Sequence, residues 1–312
     1  MGKDRGTMEE RILTVLTPTW NRADTLPALF QSLKKQTDQR FLWFVMDDGS
    51  TDDTEAVVGK LAENSPFPIR YERKENGGKH TALNQAIPAI ATPLTMIVDS
   101  DDTLTEDAVA VIIGFHERYR DRAEEMKLCG YSFLRADRDG AVNGGRYPEE
   151  ESVGTVRDKR INAGLWGDKA EVYLTEVLRQ YPFPVFKGER FYPEDAVWLK
   201  MSGPYVLVHA NRVIYICDYL EDGLTRTGRR MKIHSPLGMM SRSAVYLKDP
   251  GVRWKVRCKM LLLYRIYERF YGCGKPLPDQ CRIRRGVAYR LFGLPSLYFY
   301  QRWERENRNQ NA

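Results

Sequence analysis

Residues 94–102 read Leu94-Thr95-Met96-Ile97-Val98-Asp99-Ser100-Asp101-Asp102. An apolar run bounded by Pro93 breaks into three carboxylates within four positions. The run reads as a buried parallel strand. Asp99, Asp101 and Asp102 then stand where strand gives way to loop. Capping a turn needs fewer acids than this. Three mutually repelling carboxylates are better explained by a divalent cation held between them and a phosphorylated ligand.

Outward from this stretch the first half alternates strand and helix. Residues 12–17 form a β-rich run that stops at Pro18. Residues 23–36 have helical spacing, with Leu26, Leu29, Phe30 and Leu33 on one face. A second strand over 41–46 ends in Asp47-Asp48-Gly49-Ser50. A helix over 52–61 follows, capped by Thr51 or Asp52. Then come a strand over 69–73, a helix over 78–90, the opening strand and a helix over 106–119. This order predicts a mostly parallel sheet with helices on both faces. Ligands of such sheets bind beyond the carboxyl ends of the strands. The turns at Pro18-Thr19-Trp20-Asn21, Asp47 and Asp99 should share that edge. Further on, the pattern predicts a strand over 131–135, loop or short strands over 137–165 and a helix over 170–180. Another helix starts at Pro193-Glu194-Asp195, a strand pair spans 205–215, and a basic amphipathic helix begins near 253.

Composition sets limits. The 312 residues, 42% apolar and 29% charged, suit a soluble globular protein. The net charge of +6 is uneven. Residues 251–312 carry 14 Lys and Arg against 4 Asp and Glu, while the rest carries 34 against 38. A basic tail on a slightly acidic body implies an anionic partner for the tail. Five scattered cysteines without a CxxC argue for a reducing compartment and against a zinc cage. No signal-peptide core and no apolar run near ~18 residues is evident, so cytoplasmic location is expected.

Thr17-Pro18-Thr19-Trp20-Asn21-Arg22, Asp47-Asp48-Gly49-Ser50-Thr51-Asp52, Asn76-Gly77-Gly78-Lys79, Asp99-Ser100-Asp101-Asp102 and Glu194-Asp195 before Trp198 occur in this order. Together they resemble family 2 glycosyltransferases of GT-A fold, over roughly residues 10–225. The resemblance implies an inverting, metal-dependent transferase using a nucleotide-diphospho-sugar, a UDP-sugar foremost. Thr17, Pro18 and Asn21 would line the nucleoside pocket and Asp47 would contact the base. Asp99 and Asp101 match the DxD pair that holds Mn²⁺ or Mg²⁺. Ser100 and Asp102 would adjoin the donor, Asp102 by orienting its neighbours or touching the sugar, and Lys79 would reach a phosphate. Glu194 or Asp195 would be the base: spacing to Trp198 favours the first, the dipeptide pattern the second. The Gln-x-x-Arg-Trp of processive synthases is missing, since Gln301-Arg302-Trp303 lacks the spacer, so one sugar is added per encounter.

The expected division is a catalytic domain over 1–225, with a nucleotide half near 10–135 and an acceptor half near 136–225. A mobile basic loop and a helical extension follow over 226–312. Arg229 in that loop would meet the diphosphate, and His234 would complete the metal shell as a downstream His does in some GT-A enzymes. Donor-sugar contacts should come from 76–80 and 140–170. The tail sets Arg282, Arg284, Arg285 and Arg290 among Tyr289, Phe292, Leu294, Leu297, Tyr298 and Trp303. That mixture suits an anionic membrane surface at the inner face of the plasma membrane, with a dimer contact and nucleic acid as rivals. The acceptor would then be a glycan or lipid-linked glycan of surface polysaccharide assembly. Two other functions compete: a sugar nucleotidyltransferase, disfavoured because the first turn lacks glycine, and a nucleotide-sugar-binding protein without catalysis.

Overall fold

The computed structural model describes residues 11–165, 167–217 and 224–309. The chain divides into two compact units. One joins Met1–Pro182 to Met201–Tyr219, and the other joins Phe183–Lys200 to Leu220–Ala312.

The first unit runs β1 (Leu13–Thr19), α1 (Leu26–Lys34), β2 (Phe41–Asp47), α2 (Thr54–Glu63), β3 (Ile69–Arg73), α3 (Lys79–Ala86), β4 (Leu94–Ile97), β5 (Thr103–Leu104) and α4 (Ala108–Tyr119). It continues with β6 (Leu128–Ala136), β7 (Glu151–Gly154), β8 (Lys169–Leu174), α5 (Thr175–Leu178) and β9 (Val206–Ile216). Every residue of β1 and β2 is buried. This is why both read as unbroken apolar runs rather than alternating ones. α1 turns Leu26, Leu29, Phe30 and Leu33 inward, as their helical spacing requires.

The sheet order is β3-β2-β1-β4-β8-β6-β9-β5, with β7 paired to β9. From β3 to β4 the pairing is parallel. Thr19 lies opposite Asp47 and Leu16 opposite Ile97, so the three turns named above leave the same edge. Beyond β4 the sheet is mixed. β8 runs antiparallel to both β4 and β6, and β6 runs parallel to β9. At Gly130 in β6 the backbone adopts φ +151°, and an added Cβ would lie 2.0 Å from the Val172 carbonyl oxygen. Only glycine lets β6 and β8 approach this closely.

Three expectations are corrected here. Residues 170–180 are not one helix. Ala170, Val172, Tyr173 and Leu174 belong to β8, buried between two strands, and only the short α5 follows. Full burial on both sides removed the alternation that marks a strand. Residues 205–215 are one long strand, bent by register shifts against β6, rather than a pair. Residues 226–234 do not form a loop. They lie mostly in α7 (Leu224–Ile233), which carries Gly228 in its interior.

The second unit contains α6 (Asp195–Met201), whose last residue belongs to the first unit, then α7, α8 (Pro236–Lys248), α9 (Trp254–Tyr271), α10 (Val287–Leu291) and α11 (Gly293–Asn309). Segment 183–200, read from sequence with the catalytic domain, groups with these C-terminal helices. Glu189 accepts the backbone N–H groups of Leu237 (2.7 Å) and Gly238 (2.8 Å) at the start of α8. A carboxylate there satisfies orphan donors and meets the positive end of the helix. Among the described residues, no helix is long and apolar enough to cross a membrane.

Candidate active site

The turns after β1 and β2 are laced together. Asn21 sits at φ +51°, a conformation asparagine tolerates better than most residues. Its N–H donates to Ser50 Oγ (2.8 Å), and its Oδ1 accepts the Thr51 N–H (2.8 Å). Asp47 is fully buried. Its Oδ1 accepts the N–H and hydroxyl of Ser50, at 2.8 and 2.7 Å, and its Oδ2 accepts the Tyr71 hydroxyl at 2.6 Å. Asp48 shapes the third loop. It accepts Lys74 Nζ (2.8 Å) and the backbone N–H groups of Gly77 (3.0 Å) and Gly78 (2.6 Å). Thr17 and Pro18 are buried within β1, and Thr17 Oγ1 accepts the Trp43 indole N–H (2.9 Å).

The acidic turn after β4 is balanced by cations on three sides. Lys79 Nζ, at the start of α3, pairs with Asp99. Arg22 from the β1 turn lies 3.9 Å from Asp101. Arg135, nearly buried at the end of β6, lies 3.8 Å from both Asp99 and Asp102. Its guanidinium stacks 4.0 Å from the centre of the Tyr215 ring. The Tyr215 hydroxyl donates to Asp102 (2.7 Å) and accepts the Asp99 N–H (3.0 Å). Burial alone would raise the Asp99 pKa, but Lys79 and Arg135 outweigh it and hold the carboxyl low. Burial and the neighbouring Asp99 charge push Asp102 up to about 7, against the Tyr215 hydrogen bond and Arg135. The two carboxyls of this turn are thus shifted in opposite directions. Ser100 between them is buried.

Asn21, Asp47, Lys79, Asp99, Ser100, Asp101 and Asp102 all lie along this sheet edge. The sequence reading missed Asp48, Tyr71, Lys74, Arg135 and Tyr215. Arg135 and Tyr215 end apolar strands, the same signal that marked Asp99. In the 140–170 region, the buried Lys169 donates to the carbonyls of Asn143 (3.0 Å) and Gly145 (2.7 Å), pinning that loop to β8.

Glu194, Asp195, Arg229 and His234 belong to the second unit. The Glu194 carbonyl accepts the Val197 N–H (2.8 Å) at the start of α6. Asp195 is gripped by Arg242 Nε and Nη2 (2.8 and 2.6 Å) and accepts the Tyr246 hydroxyl (2.7 Å), both from α8. Burial opposes the Arg242 charge, yet Asp195 raises its pKa. Arg229 pairs with Glu306 and lies over the Trp303 ring, so its ligand here is a helix–helix contact. His234 follows α7, its N–H bonded to the Arg230 carbonyl (3.0 Å).

Among the described residues, no three His, Cys, Asp or Glu side chains form a metal cage. Asp99 and Asp101 offer hard oxygen donors on one turn. That set fits Mg²⁺ or Mn²⁺ shared with ligand phosphates, the usual arrangement where one or two carboxylates suffice.

Residues 14–124 match the sequence profile of "Glycosyl transferase family 2". The first part of the chain is therefore similar to this family. The β-1,3-glucosyltransferase of Campylobacter jejuni that acts on GalNAc(5)-diNAcBac-PP-undecaprenol is 23% identical over 282 residues, 84% of this chain and 86% of that protein. The teichoic acid poly(glycerol phosphate) polymerase of Staphylococcus epidermidis is 30% identical over 98 residues, and this match spans only 14% of its length. The crystal structure of S. aureus TarS 1–349 in complex with UDP-GlcNAc superposes with a TM-score of 0.61 at 16% identity, covering 94% of this chain and 81% of that one. The chain therefore has the GT-A fold, as the order of its motifs implied.

Proposed function

We propose that the protein is an inverting, non-processive glycosyltransferase. It moves one sugar from a nucleotide-diphospho-sugar, a UDP-sugar foremost, to a glycan or lipid-linked glycan acceptor. The observation that carries this reading is the acidic turn. Asp99 and Asp101 stand at the carboxyl edge of the parallel strands with Lys79 and Arg22 against them. That pattern of paired opposite charges suits a diphosphate bound through a cation.

In this reading Asp99 and Asp101 hold Mg²⁺ or Mn²⁺. When bound, the cation supplies neutralisation of charge on the leaving diphosphate. Lys79 exchanges Asp99 for a phosphate oxygen. Arg135 and Tyr215 keep the turn in place while this exchange occurs. Asn21 and the Ser50 turn border the nucleoside. Asp47 reads the base only by giving up a bond to Ser50 or Tyr71. The acid pair Glu194–Asp195 supplies the base that deprotonates the acceptor hydroxyl. The similarity to an undecaprenol-linked glycan glucosyltransferase along most of both chains supports the lipid-linked acceptor.

The test is nucleoside diphosphate release from a panel of UDP-, GDP- and dTDP-sugars with a lipid-diphosphate glycan acceptor. One donor consumed in the presence of Mg²⁺ or Mn²⁺ supports the reading. Formation of nucleotide-sugar from a sugar 1-phosphate and a nucleoside triphosphate would replace it with a nucleotidyltransferase. Donor binding without turnover across the panel would make the protein a binding module.

A further inference from the structure

The last two helices present two opposite faces. The hydrogen-bond ladder runs through their junction, with Phe292 N–H bonded to Ala288 O (3.2 Å) and Ser296 N–H to Phe292 O (3.1 Å). The inner face packs on α9. Ser296 is buried and bonded to Arg269, the Tyr300 ring lies tilted 4.8 Å from that of Phe270, and Trp303 lies 5.9 Å from Tyr267. Tyr289 of α10 and Arg285 just before it donate to the buried Glu268 (2.5 and 2.9 Å).

At 3.6 residues per turn the opposite face carries Val287, Leu291, Leu294 and Tyr298. They are 75%, 72%, 81% and 62% exposed. A run of large apolar side chains this open, on one line, is unusual for a solvated helix. Arg290, Arg302 and Arg305 are exposed along the same two helices, and Arg284 is exposed just before them. Residues 251–312 as a whole hold 14 cationic against 4 acidic side chains.

We infer that this stripe is a docking surface for an anionic lipid bilayer, with Val287, Leu291, Leu294 and Tyr298 entering the headgroup boundary and the arginines meeting acidic lipid. Charge complementarity selects this occupant. A surface shared with a second copy would set the arginines of both copies near each other, whereas an acidic membrane attracts them at about fivefold in affinity per side chain. Apolar groups then add depth that charge alone does not give. The inference stands on this surface and holds whatever donor or acceptor the catalytic site uses.

Flotation of the full chain with vesicles tests it, using phosphatidylcholine alone and phosphatidylcholine mixed with phosphatidylglycerol. Binding is expected only to the mixed vesicles, weakening as salt rises. Leu291→Gln with Leu294→Gln should cut binding at least about tenfold, leaving thermal melting unchanged because both side chains are exposed. Arg284→Gln with Arg290→Gln should weaken it by about the product of two such charge contributions. Binding that is absent, or is unaltered in the double leucine variant, overturns the inference. So does a dimer in solution that the leucine variant converts to monomer, because the stripe would then be a self-contact.

Discussion

The Tyr215 hydroxyl donates to Asp102 at 2.7 Å across 113 residues of sequence. The same oxygen accepts the Asp99 N–H. One side chain from β9 therefore ties both ends of the acidic turn that follows β4. Replacing it with phenylalanine keeps the ring under Arg135 and removes both bonds. Tyr215→Phe should lose about 1–3 kcal/mol of stability, the usual cost of leaving a buried polar group unpaired. Chemical denaturation measures it. An unchanged midpoint would show that the turn holds without this tether.

Gly130 sets how closely β6 approaches β8. Gly130→Ala puts a methyl group 2.0 Å from a carbonyl oxygen, and backbone must move to accept it. A loss of more than about 2 kcal/mol is expected. Gly140→Ala is the control: its φ is also positive, at +84°, but nothing lies within 4 Å of the new Cβ. That substitution should cost about 1 kcal/mol through backbone strain alone. Equal losses in the two would refute the close-approach account.

Stability should fall in mild acid because of two buried histidines. Burial lowers His80 and His209 from 6.5 to about 4. His209 is fully buried and donates Nε2–H to the Gly154 carbonyl (3.1 Å). Between pH 4 and 6.5 these two side chains bind more protons in the unfolded chain than in the folded one. The stability contributed by each histidine is therefore full above about 6.5 and declines by roughly 3 kcal/mol toward pH 4, while Asp102, raised to about 7, acts in the opposite direction over the same range. Melting temperature against pH reads this. In His209→Gln the slope should become shallower, and an identical slope would rule His209 out.

The acid pair separates into base and clamp by two readouts. Whichever residue is the base should lose roughly 10²- to 10⁴-fold in kcat as its amide, with little change in donor KM. Asp195→Asn also weakens the bidentate Arg242 pair. Its stability should drop by about 2 kcal/mol, less than for a wholly buried pair because the carboxylate is 36% exposed. If Glu194→Gln loses kcat without stability while Asp195→Asn loses mainly stability, Glu194 is the base. The reverse pattern in kcat assigns Asp195. Full kcat in both variants would place the base elsewhere.

The parallel half of the sheet and its edge turns were legible because apolar runs stop abruptly at polar residues there. The crowding of Asp99, Asp101 and Asp102 was legible from charge, since carboxylates do not crowd without a partner, and the resemblance alone singled out Asp99 and Asp101. Their protein counter-ions were not found. Arg135 and Tyr215 approach the turn from β6 and β9, and no local pattern reports a contact across 113 residues. Asp47 and Thr17 stand toward the carboxyl ends of β2 and β1, where their oxygens are engaged by Ser50, Tyr71 and Trp43. β8 was misread as helix because two-sided burial erased its alternation. Arg229 was read as a loop cation because two glycines and four basic residues crowd 223–232, yet the segment is helical and Glu306 and Trp303 are the partners of Arg229.

If Asp99 and Asp101 hold a divalent cation against the donor diphosphate, sugar transfer needs both the cation and the two carboxylates. The most direct measurement is UDP release from a UDP-sugar by the full chain and by Asp101→Asn, each with Mn²⁺ and with EDTA. Release is expected only from the parent chain with Mn²⁺, with a loss of at least about 10²-fold in Asp101→Asn and its melting temperature preserved. Release that is undiminished in EDTA and in Asp101→Asn would contradict it.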